Sequence, residues 1–167
     1  MTDLDIRPAL AADQAAIITL WHRGWHDAHA ALVPPALLAY RTPAHFALWR
    51  DQATDRFFVA VRDGAVVGFV STKAQELVKL YVDGQARGSG TAAALLAFAE
   101  ARLAAAGAAT ATLLCTAGNL RAERFYARHG WQVTRRFDDA LWLPDGVPGH
   151  FTVATQQFQK VLAAPAA

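Results

Sequence analysis

The sequence is poor in cysteine, in charge and in long apolar segments, and each shortage excludes a class of protein. The single cysteine, Cys115, cannot form an internal disulfide or a zinc site by itself, which favours a reducing compartment. Lysine and arginine number 16 against 14 acidic residues, so the net charge of +2 gives no electrostatic case for binding nucleic acid or a membrane surface. No uninterrupted apolar run reaches the roughly 18 residues that a membrane-spanning helix needs.

The composition still supplies a folded core, because 54% of the 167 residues are hydrophobic and only 18% are charged. A chain of this length is typical of one domain. We expect that domain to occupy residues 1–162, with a frayed tail at residues 163–167. Asp3 and Asp5 lie where a secretory leader would need positive charge and an apolar segment. These features together predict a cytoplasmic protein without membrane or nucleic-acid partners.

The first third of the chain has helical periodicity after one short strand. Residues 4–7 alternate apolar and polar side chains before Pro8, which predicts a strand at the edge of a sheet. Apolar residues then recur every three or four positions, which predicts a first helix over residues 13–29 with Asp13 as its N-cap. A proline pair follows, and further helical pieces extend to about residue 52.

The rest of the chain alternates strands with helices. Residues 57–61 and 65–72 form a predicted hairpin around Asp63-Gly64, and residues 77–82 add a third antiparallel strand. The remaining predicted elements are a helix from Gly90 to Gly107, a strand at 110–116, a helix at 119–129, and strands at 131–137 and 151–158. Because strands joined by a crossover helix in one sheet are parallel, we expect the strand at 110–116 to lie parallel to the strand at 77–82.

A glycine-rich turn at residues 83–91 joins the strand at 77–82 to the following helix. A helix that begins there leaves the backbone N–H groups of its first turn unpaired, and glycines without Cβ let a ligand approach that backbone closely. Such a turn is suited to binding a phosphate or pyrophosphate.

The turn has three other interpretations. A P-loop needs a lysine directly after its last glycine, whereas Gly90 is followed by Thr91, so that class is excluded. The dinucleotide fingerprint is matched by Gly88-x-Gly90-x-x-Ala93, but it also needs an acidic residue about 20 positions further on. No Asp or Glu occurs in residues 101–122, which disfavours a dinucleotide. The third alternative is that the glycines only shape a tight connection.

Two motifs resemble signatures of the GNAT N-acetyltransferase superfamily. The first is Gln85-x-x-Gly88-x-Gly90, preceded by Glu76-Leu77-x-x-Leu80-Tyr81-Val82, which resembles the acetyl-CoA-binding signature. The second comprises Asn119, Ala122 and Phe125-Tyr126-Ala127-Arg128-His129-Gly130-Trp131, which is similar to the family segment N-x-x-A-x-x-F-Y-x-x-x-G-F. The resemblance covers residues from about 56 to 131. It implies a single α/β (α+β) domain with a mixed central sheet of six to seven strands flanked by about four helices.

The resemblance also implies that acetyl-CoA binds along the strand at 77–82 and in the turn that follows. Main-chain groups of Leu80, Tyr81 and Val82 would bind the pantetheine arm, and one N–H there would polarise the thioester carbonyl. The residues that would surround the pyrophosphate are Gln85, Ala86, Arg87, Gly88, Ser89, Gly90 and Thr91. Asn119 would hydrogen-bond the pantetheine, cap the following helix, or do both. Three arginines at helical spacing would either meet a coenzyme phosphate or lie on a solvated face: Arg121, Arg124 and Arg128.

Two residues are candidates for proton transfer. Glu76 would act as the general base that deprotonates the acceptor amine through water. The alternative is a solvated glutamate or a salt bridge with Lys73 or Lys79. Tyr126 would act as the general acid for the departing thiolate, and the alternative is a core aromatic residue. The reserve candidates for the base are His22, His26, His150 and Asp138.

The expected activity is direct transfer of acetyl from acetyl-CoA to a primary amine of a small molecule. The resemblance places the acceptor against the first helices and the closing strands, where the candidate residues are Trp21, Trp25, His26 and Trp142. Tryptophan faces attract apolar and cationic groups, and the same indoles would also suit the core. The alternatives are acetylation of a protein N-terminus or lysine, and a non-catalytic sensor that binds coenzyme A. The family also suggests a homodimer.

Neither the histidines nor the cysteine predicts further chemistry. His22, His26 and His29 recur at helical spacing, but no partnering cysteine or HExxH pattern accompanies them. We therefore interpret them as surface or packing residues and expect no metal cofactor. Cys115 lies in an apolar strand without basic neighbours, so we expect a buried structural residue rather than a nucleophile.

Overall fold

Seven strands form one sheet in the computed structural model, which describes residues 3–164 of the chain. The strands are β1 (Asp5–Pro8), β2 (Arg56–Arg62), β3 (Ala65–Lys73), β4 (Glu76–Val82), β5 (Thr110–Thr116), β6 (Gln132–Ala140) and β7 (Thr152–Val161). The helices are α1 (Gln14–His29), α2 (Pro43–Gln52), α3 (Thr91–Ala105) and α4 (Leu120–Arg128). Short 3₁₀ turns lie at Ala11–Asp13, Pro35–Tyr40 and Gly84–Ala86.

The strand order is β1-β2-β3-β4-β5-β7-β6, and β4 and β5 form the parallel pair in an otherwise antiparallel sheet. This confirms the predicted mixed sheet, the edge position of the first strand and the parallel pairing across the crossover helix. Of the predicted frayed tail, residues 165–167 lie outside the described residues. Within residues 3–164, no helix is both long and apolar enough to span a bilayer.

The sheet separates two hydrophobic cores. α3 and α4 cover one face, where Leu77, Leu95 and Leu113 are buried. α1 and α2 cover the opposite face, where Trp21 and Phe46 are buried. Full burial of one such side chain is worth about 1.5–3 kcal/mol, so both helix layers are held on the sheet mainly by apolar burial.

Asp13 is the N-cap residue of α1, as predicted, but its side chain makes no capping hydrogen bond to that helix. Its carboxylate instead accepts hydrogen bonds from Arg7 Nη1 at 2.7 Å and from the Leu10 N–H at 2.8 Å. The hydrogen bond from Arg7 lowers the pKa of the buried Asp13 carboxyl, which shows that the ion pair favours the charged form. The closing strands also run further than predicted, to Ala140 in β6 and Val161 in β7. The reason is pairing between strands, since Ala140 pairs with Thr152 and Val161 pairs with Thr110.

β4 and β5 separate almost as soon as they pair. Their paired residues are Glu76 and Thr112, whereas β5 pairs with β7 along its whole length. On its other side β4 pairs with β3 through a register shift that leaves Val78 as an extra residue, which is a β-bulge. Beyond the bulge, the edge of β4 therefore faces a gap in the middle of the sheet.

Gly24 lets α1 approach β4. A Cβ at this position would lie 2.5 Å from Cδ1 of Tyr81, far inside van der Waals contact. Alanine gains about 1 kcal/mol of helix propensity over glycine. We nevertheless expect Gly24→Ala to lower the free energy of unfolding by about 1–3 kcal/mol through overpacking, as measured by urea denaturation. In a Tyr81→Ala background the same change should be neutral or stabilising, and an equal loss in both backgrounds would contradict this cause.

Candidate active site

A cleft of about 480 Å³ occupies the gap between β4 and β5. Its walls are the second half of α1, β4 from Leu77 to Val82, the end of β5, the start of α3 and one face of α4. The free edge of β4 offers backbone N–H and C=O groups that an extended ligand can pair with, as an added strand would. The cleft is therefore suited to a long, narrow arm lying along β4.

One end of the cleft is the glycine-rich turn. Gly88 and Gly90 have φ angles of +76° and +82°, a left-handed conformation that glycine adopts without strain. α3 begins at Thr91 without a side-chain cap, and its first residues border the cleft. The unpaired N–H groups of a first helical turn and the helix dipole favour a bound anion at this end.

Most of the residues predicted to bind a cofactor border this cleft. They are Leu80, Tyr81, Val82, Ala86, Arg87, Gly88, Gly90, Thr91 and Asn119. Gln85 and Ser89 belong to the same turn but are exposed outside the cleft. Sequence reasoning missed Leu113, Leu114 and Phe125, which also border the cleft, because their apolar character predicts core burial rather than a ligand site.

Asn119 caps α4 and also borders the cleft, so its position fits either of the two roles predicted for it. Its Oδ1 accepts a hydrogen bond from the Ala122 N–H at 3.4 Å, which caps α4, and its side chain borders the cleft. The three arginines of α4 are exposed. Arg121 and Arg128 border the cleft, whereas Arg124 lies away from it.

Tyr126 and Cys115 belong to the buried wall of the cleft. Tyr126 packs against Trp131 and Phe158, and burial raises the pKa of its phenol, so it stays protonated at neutral pH. Burial also raises the pKa of Cys115 to about 12, which keeps it a thiol and confirms the predicted burial. The Tyr126 phenol therefore keeps its proton, and the one thiol of the cleft is not activated as a nucleophile.

Glu76 lies next to the other end of the cleft, where β4 and β5 still pair. It is half-buried, and this burial raises the pKa of its carboxyl. The negative charges of Asp55 and Asp139 act in the same direction, whereas Lys79 and Lys73 oppose it. A carboxyl whose pKa is shifted toward neutral pH is a better proton acceptor than an ordinary one.

The residues predicted to contact the acceptor differ in burial. Trp21 and Trp25 belong to α1 and are buried on its side that faces the sheet. Their indoles pack in the core and do not border the cleft. His26 Nε2 is hydrogen-bonded to a main-chain carbonyl at 2.7 Å. Trp142 is partly exposed and stacks on Trp49, with ring centroids 5.0 Å apart. The acceptor role of these side chains stays a prediction.

The reserve bases and the histidine row differ in exposure and in contacts. His150 and Asp138 are exposed. The rings of His22 and His26 contact each other with centroids 4.7 Å apart, and burial lowers the pKa of His22. In the part of the chain that the structure describes, no group of three or more His, Cys, Asp or Glu side chains is placed to hold a metal ion.

The sequence matches the model of the acetyltransferase (GNAT) family over residues 21–131. The chain belongs to this family. The match confirms the resemblance seen in the two motifs and the expected enzyme class, an acyltransferase. No protein of curated function matches the sequence.

The fold is similar to that of solved GNAT structures. A GCN5-related N-acetyltransferase from Rhodopseudomonas palustris is 22% identical with a TM-score of 0.74, over 97% of this chain and 98% of that one. The PaiA N-acetyltransferase from Thermoplasma acidophilum, in complex with coenzyme A, is 17% identical with a TM-score of 0.66, over 95% and 99%. YncA from Salmonella typhimurium, with its cofactor acetyl-CoA, is 19% identical with a TM-score of 0.68, over 99% and 97%. These likenesses confirm the α/β fold that the sequence predicted.

A buried ion pair next to the bulge of this GNAT domain was not predicted. Lys79 Nζ lies 2.8 Å from Asp55 Oδ2, and the two side chains are 9% and 6% exposed. The ammonium also lies 4.9 Å from the ring centroid of Trp21 and 5.4 Å from that of Phe57. A lysine within an alternating strand predicts a solvent-facing position, so only the structure reveals the pair. Because Lys79 directly follows Val78, the pair ties the bulge in β4 to the residue that precedes β2.

Removal of Lys79 would leave the Asp55 carboxylate buried without its partner. We expect Lys79→Met to lower the free energy of unfolding by about 3–5 kcal/mol in urea denaturation. The double variant Lys79→Met/Asp55→Leu should recover most of this loss. The matched control is the exposed pair of Asp27 and Arg87, with side chains 61% and 42% exposed, where Asp27→Asn should cost less than about 1 kcal/mol. Equal losses for Lys79→Met and Asp27→Asn would contradict the buried pair as a source of stability.

Proposed function

We propose that this protein transfers acetyl from acetyl-CoA directly to the primary amine of a small molecule. The observation that carries the proposal is the cleft between β4 and β5, which runs from the uncapped start of α3 toward Glu76. Such a cleft suits a ligand with an anionic group at one end and an extended arm along a strand edge. Acetyl-CoA has both, in its pyrophosphate and its pantetheine. Two of the similar structures contain coenzyme A or acetyl-CoA.

The backbone of the cleft accounts for most of the proposed binding. Pyrophosphate oxygens accept hydrogen bonds from N–H groups between Arg87 and Thr91. The pantetheine amides pair with the main chain of Leu80 and Val82, and the Asn119 side chain adds one polar contact. A backbone N–H of β4 beyond the bulge polarises the thioester carbonyl, which concentrates negative charge on the carbonyl oxygen as the amine attacks.

Glu76 and Tyr126 handle the protons of the transfer. An alkyl amine with a pKa near 10.4 is protonated at neutral pH, so Glu76 first removes a proton through a water molecule and passes it to solvent. The neutral nitrogen then attacks the carbonyl carbon, and the C–N bond forms as the C–S bond breaks. Tyr126 gives its proton to the leaving thiolate and regains one from the nitrogen, which leaves an N-acetyl amide and coenzyme A.

The surroundings of Glu76 support a small acceptor more than a polypeptide. On the face of the sheet that α1 and α2 cover, α2 packs against the connection between β6 and β7, where Trp142 stacks on Trp49 and its carbonyl accepts a hydrogen bond from Arg41. Asp139 adds negative charge that attracts a cationic amine, whereas the charge of Asp55 is paired with Lys79. Acetylation of a protein N-terminus or lysine, and a sensor role without turnover, remain the alternatives that the assays below separate.

Acetyl-CoA binding tests the cofactor part of the proposal. Calorimetry should give micromolar affinity for acetyl-CoA, about −8 kcal/mol, and no binding of NAD. Gly90→Ala should weaken acetyl-CoA binding at least about tenfold, because it strains the turn and adds a methyl group where the pyrophosphate approaches. Gly107→Ala is the matched control, since Gly107 also has a positive φ and open space around it but lies at the other end of α3. Absence of acetyl-CoA binding would refute both the transferase and the sensor functions.

The pH dependence of turnover tests the base. Because Glu76 must be deprotonated to act, kcat/KM falls as pH drops through its pKa. Burial raises that pKa above 4.5, so the fall begins at a higher pH than for an ordinary carboxyl. Glu76→Gln should lower kcat/KM about 10²–10⁴-fold and remove this limb of the profile. Measuring both proteins with the same amine cancels the titration of the acceptor.

Tyr126→Phe provides the contrasting variant. It should lower kcat, because the thiolate loses its proton donor, while the acetyl-CoA affinity and the acidic limb due to Glu76 stay in place. If both variants turn over the acceptor at the wild-type rate, Glu76 and Tyr126 do not have the assigned roles. If the wild-type protein binds acetyl-CoA but acetylates peptides and no small amine, the acceptor class is wrong.

A further inference from the structure

Arg41 is a buried cation without a counter-ion. It lies between the 3₁₀ turn at Pro35–Tyr40 and α2, and it is 1% exposed. Among the described residues, no carboxylate is within ion-pair distance of it. The guanidinium Cζ instead lies 5.1, 5.0 and 5.7 Å from the ring centroids of Trp25, Trp49 and Trp142. Because arginine is almost never fully buried without an anionic partner, this environment calls for an explanation.

The guanidinium keeps its charge in this setting. Burial lowers the pKa of Arg41 to about 10, with an opposing effect from the phenol of Tyr81, so the group stays protonated at neutral pH. His29 also faces Arg41, and burial lowers the pKa of His29 to about 4, which makes it neutral. The surroundings of Arg41 therefore consist of aromatic faces and neutral groups, with no anion to balance the charge.

One edge of the guanidinium is only half satisfied. Nη1 donates to the Tyr40 carbonyl at 3.0 Å, and Nη2 donates to the Trp142 carbonyl at 2.8 Å. Nε is buried and has no hydrogen-bond partner. Nε and Nη2 point along the same edge of the planar group, and that edge matches the two oxygens of a carboxylate. Nη2 carries two hydrogens and donates one of them to the Trp142 carbonyl, whereas the single N–H of Nε has no acceptor.

Arg41 is connected to both the base and the cleft. The ring centroid of Trp49 lies 5.0 Å from Arg41 Cζ and 6.0 Å from Lys79 Nζ. Lys79 in turn is one of the charges that act on Glu76. On its other side Arg41 acts on His29, which borders the cleft. Arg41 and Lys79 therefore lie on the same face of the sheet, the one that α1 and α2 cover.

Trp142, whose carbonyl and indole lie against Arg41, stands just before an exposed loop. Residues 144–149, between β6 and β7, are rich in proline and glycine and mostly exposed. Trp142 holds the start of this loop through its stack on Trp49 and a 3.1 Å hydrogen bond from Nε1 to Gln52. An outward movement of Trp142 would break its carbonyl contact with Nη2 and would expose the Nε and Nη2 edge of Arg41.

We propose that the Nε and Nη2 edge of Arg41 binds the carboxylate of the acceptor, in place of the Trp142 carbonyl. The acceptor is then a small amino acid, with its amine at Glu76 and its carboxylate at Arg41. This inference rests on the proposed transferase function and names its substrate class. Two N–H···O bonds to a carboxylate replace one to a carbonyl, and the buried charge gains its counter-ion. The indole of Trp49, which also lies beside the guanidinium, favours an apolar side chain on the acceptor.

Matched substrates test the carboxylate directly. Leucine, methionine and phenylalanine are compared with their carboxamides, which keep the side chain but lack the negative charge. Each kcat/KM is expressed per neutral amine, because the carboxamide also lowers the pKa of the α-amine. We expect kcat/KM to be at least about tenfold higher for the acids. Equal or higher values for the amides would overturn the carboxylate site while leaving the transferase function intact. Failure to acetylate any primary amine, despite acetyl-CoA binding, would instead reject the proposed function.

Variants assign the preference to Arg41. The readout is the ratio of kcat/KM for acid over amide, because any unfolded fraction of a variant cancels from it. Arg41→Gln should bring the ratio close to one, and Arg41→Lys should keep part of it, since lysine retains the charge without the planar edge. Arg102→Gln is the matched control, because Arg102 also lies over an aromatic ring, 4.9 Å from Phe58, but on the opposite face of the sheet. An Arg41→Gln ratio equal to that of the wild type would overturn the proposal.

Discussion

The separation of β4 from β5 is the constraint on which the rest of this structure depends. A sheet gains stability by pairing every strand, yet here the pairing ends after Glu76 and Thr112, and the central strands diverge. The loss is tolerated because β4 stays paired with β3 and β5 stays paired with β7, while helices cover both faces. The unpaired edge and the start of α3 then form one continuous polar surface inside an otherwise apolar fold, and the cleft follows from it.

A second theme is the placement of cations among aromatic rings on the side of the sheet that α1 and α2 cover. Lys79 has a buried carboxylate partner, whereas Arg41 has indole faces and carbonyls only. Both cations lie near the Trp49 ring, so a substitution that displaces this ring changes the surroundings of both charges. Burial raises the pKa of Glu76, and the positive charge of the nearby Lys79 opposes that rise.

Much of the fold, and the glycine-rich turn at one end of the cleft, could be predicted from the sequence because both depend on local patterns. Hydrophobic periodicity gave the order of the elements, and the glycine turn before α3 has a backbone geometry that only a few residue types allow. Asn119 was predicted as a cap because capping involves residues within one helical turn. The carboxylate of Asp13 does not cap α1 although the residue lies at the N-cap position, because Arg7 and the Leu10 N–H bind that carboxylate.

The sequence alone determined the family, the element order and the position of the glycine turn, since each is written in neighbouring residues. Only the tertiary structure decided where β4 leaves β5, that Val78 forms a bulge, and that Lys79 and Arg41 are buried. Those features arise from contacts between segments far apart in the chain, such as the one between Arg41 and Trp142. A periodic pattern records which face of an element is apolar, but it does not record which distant group fills the space opposite.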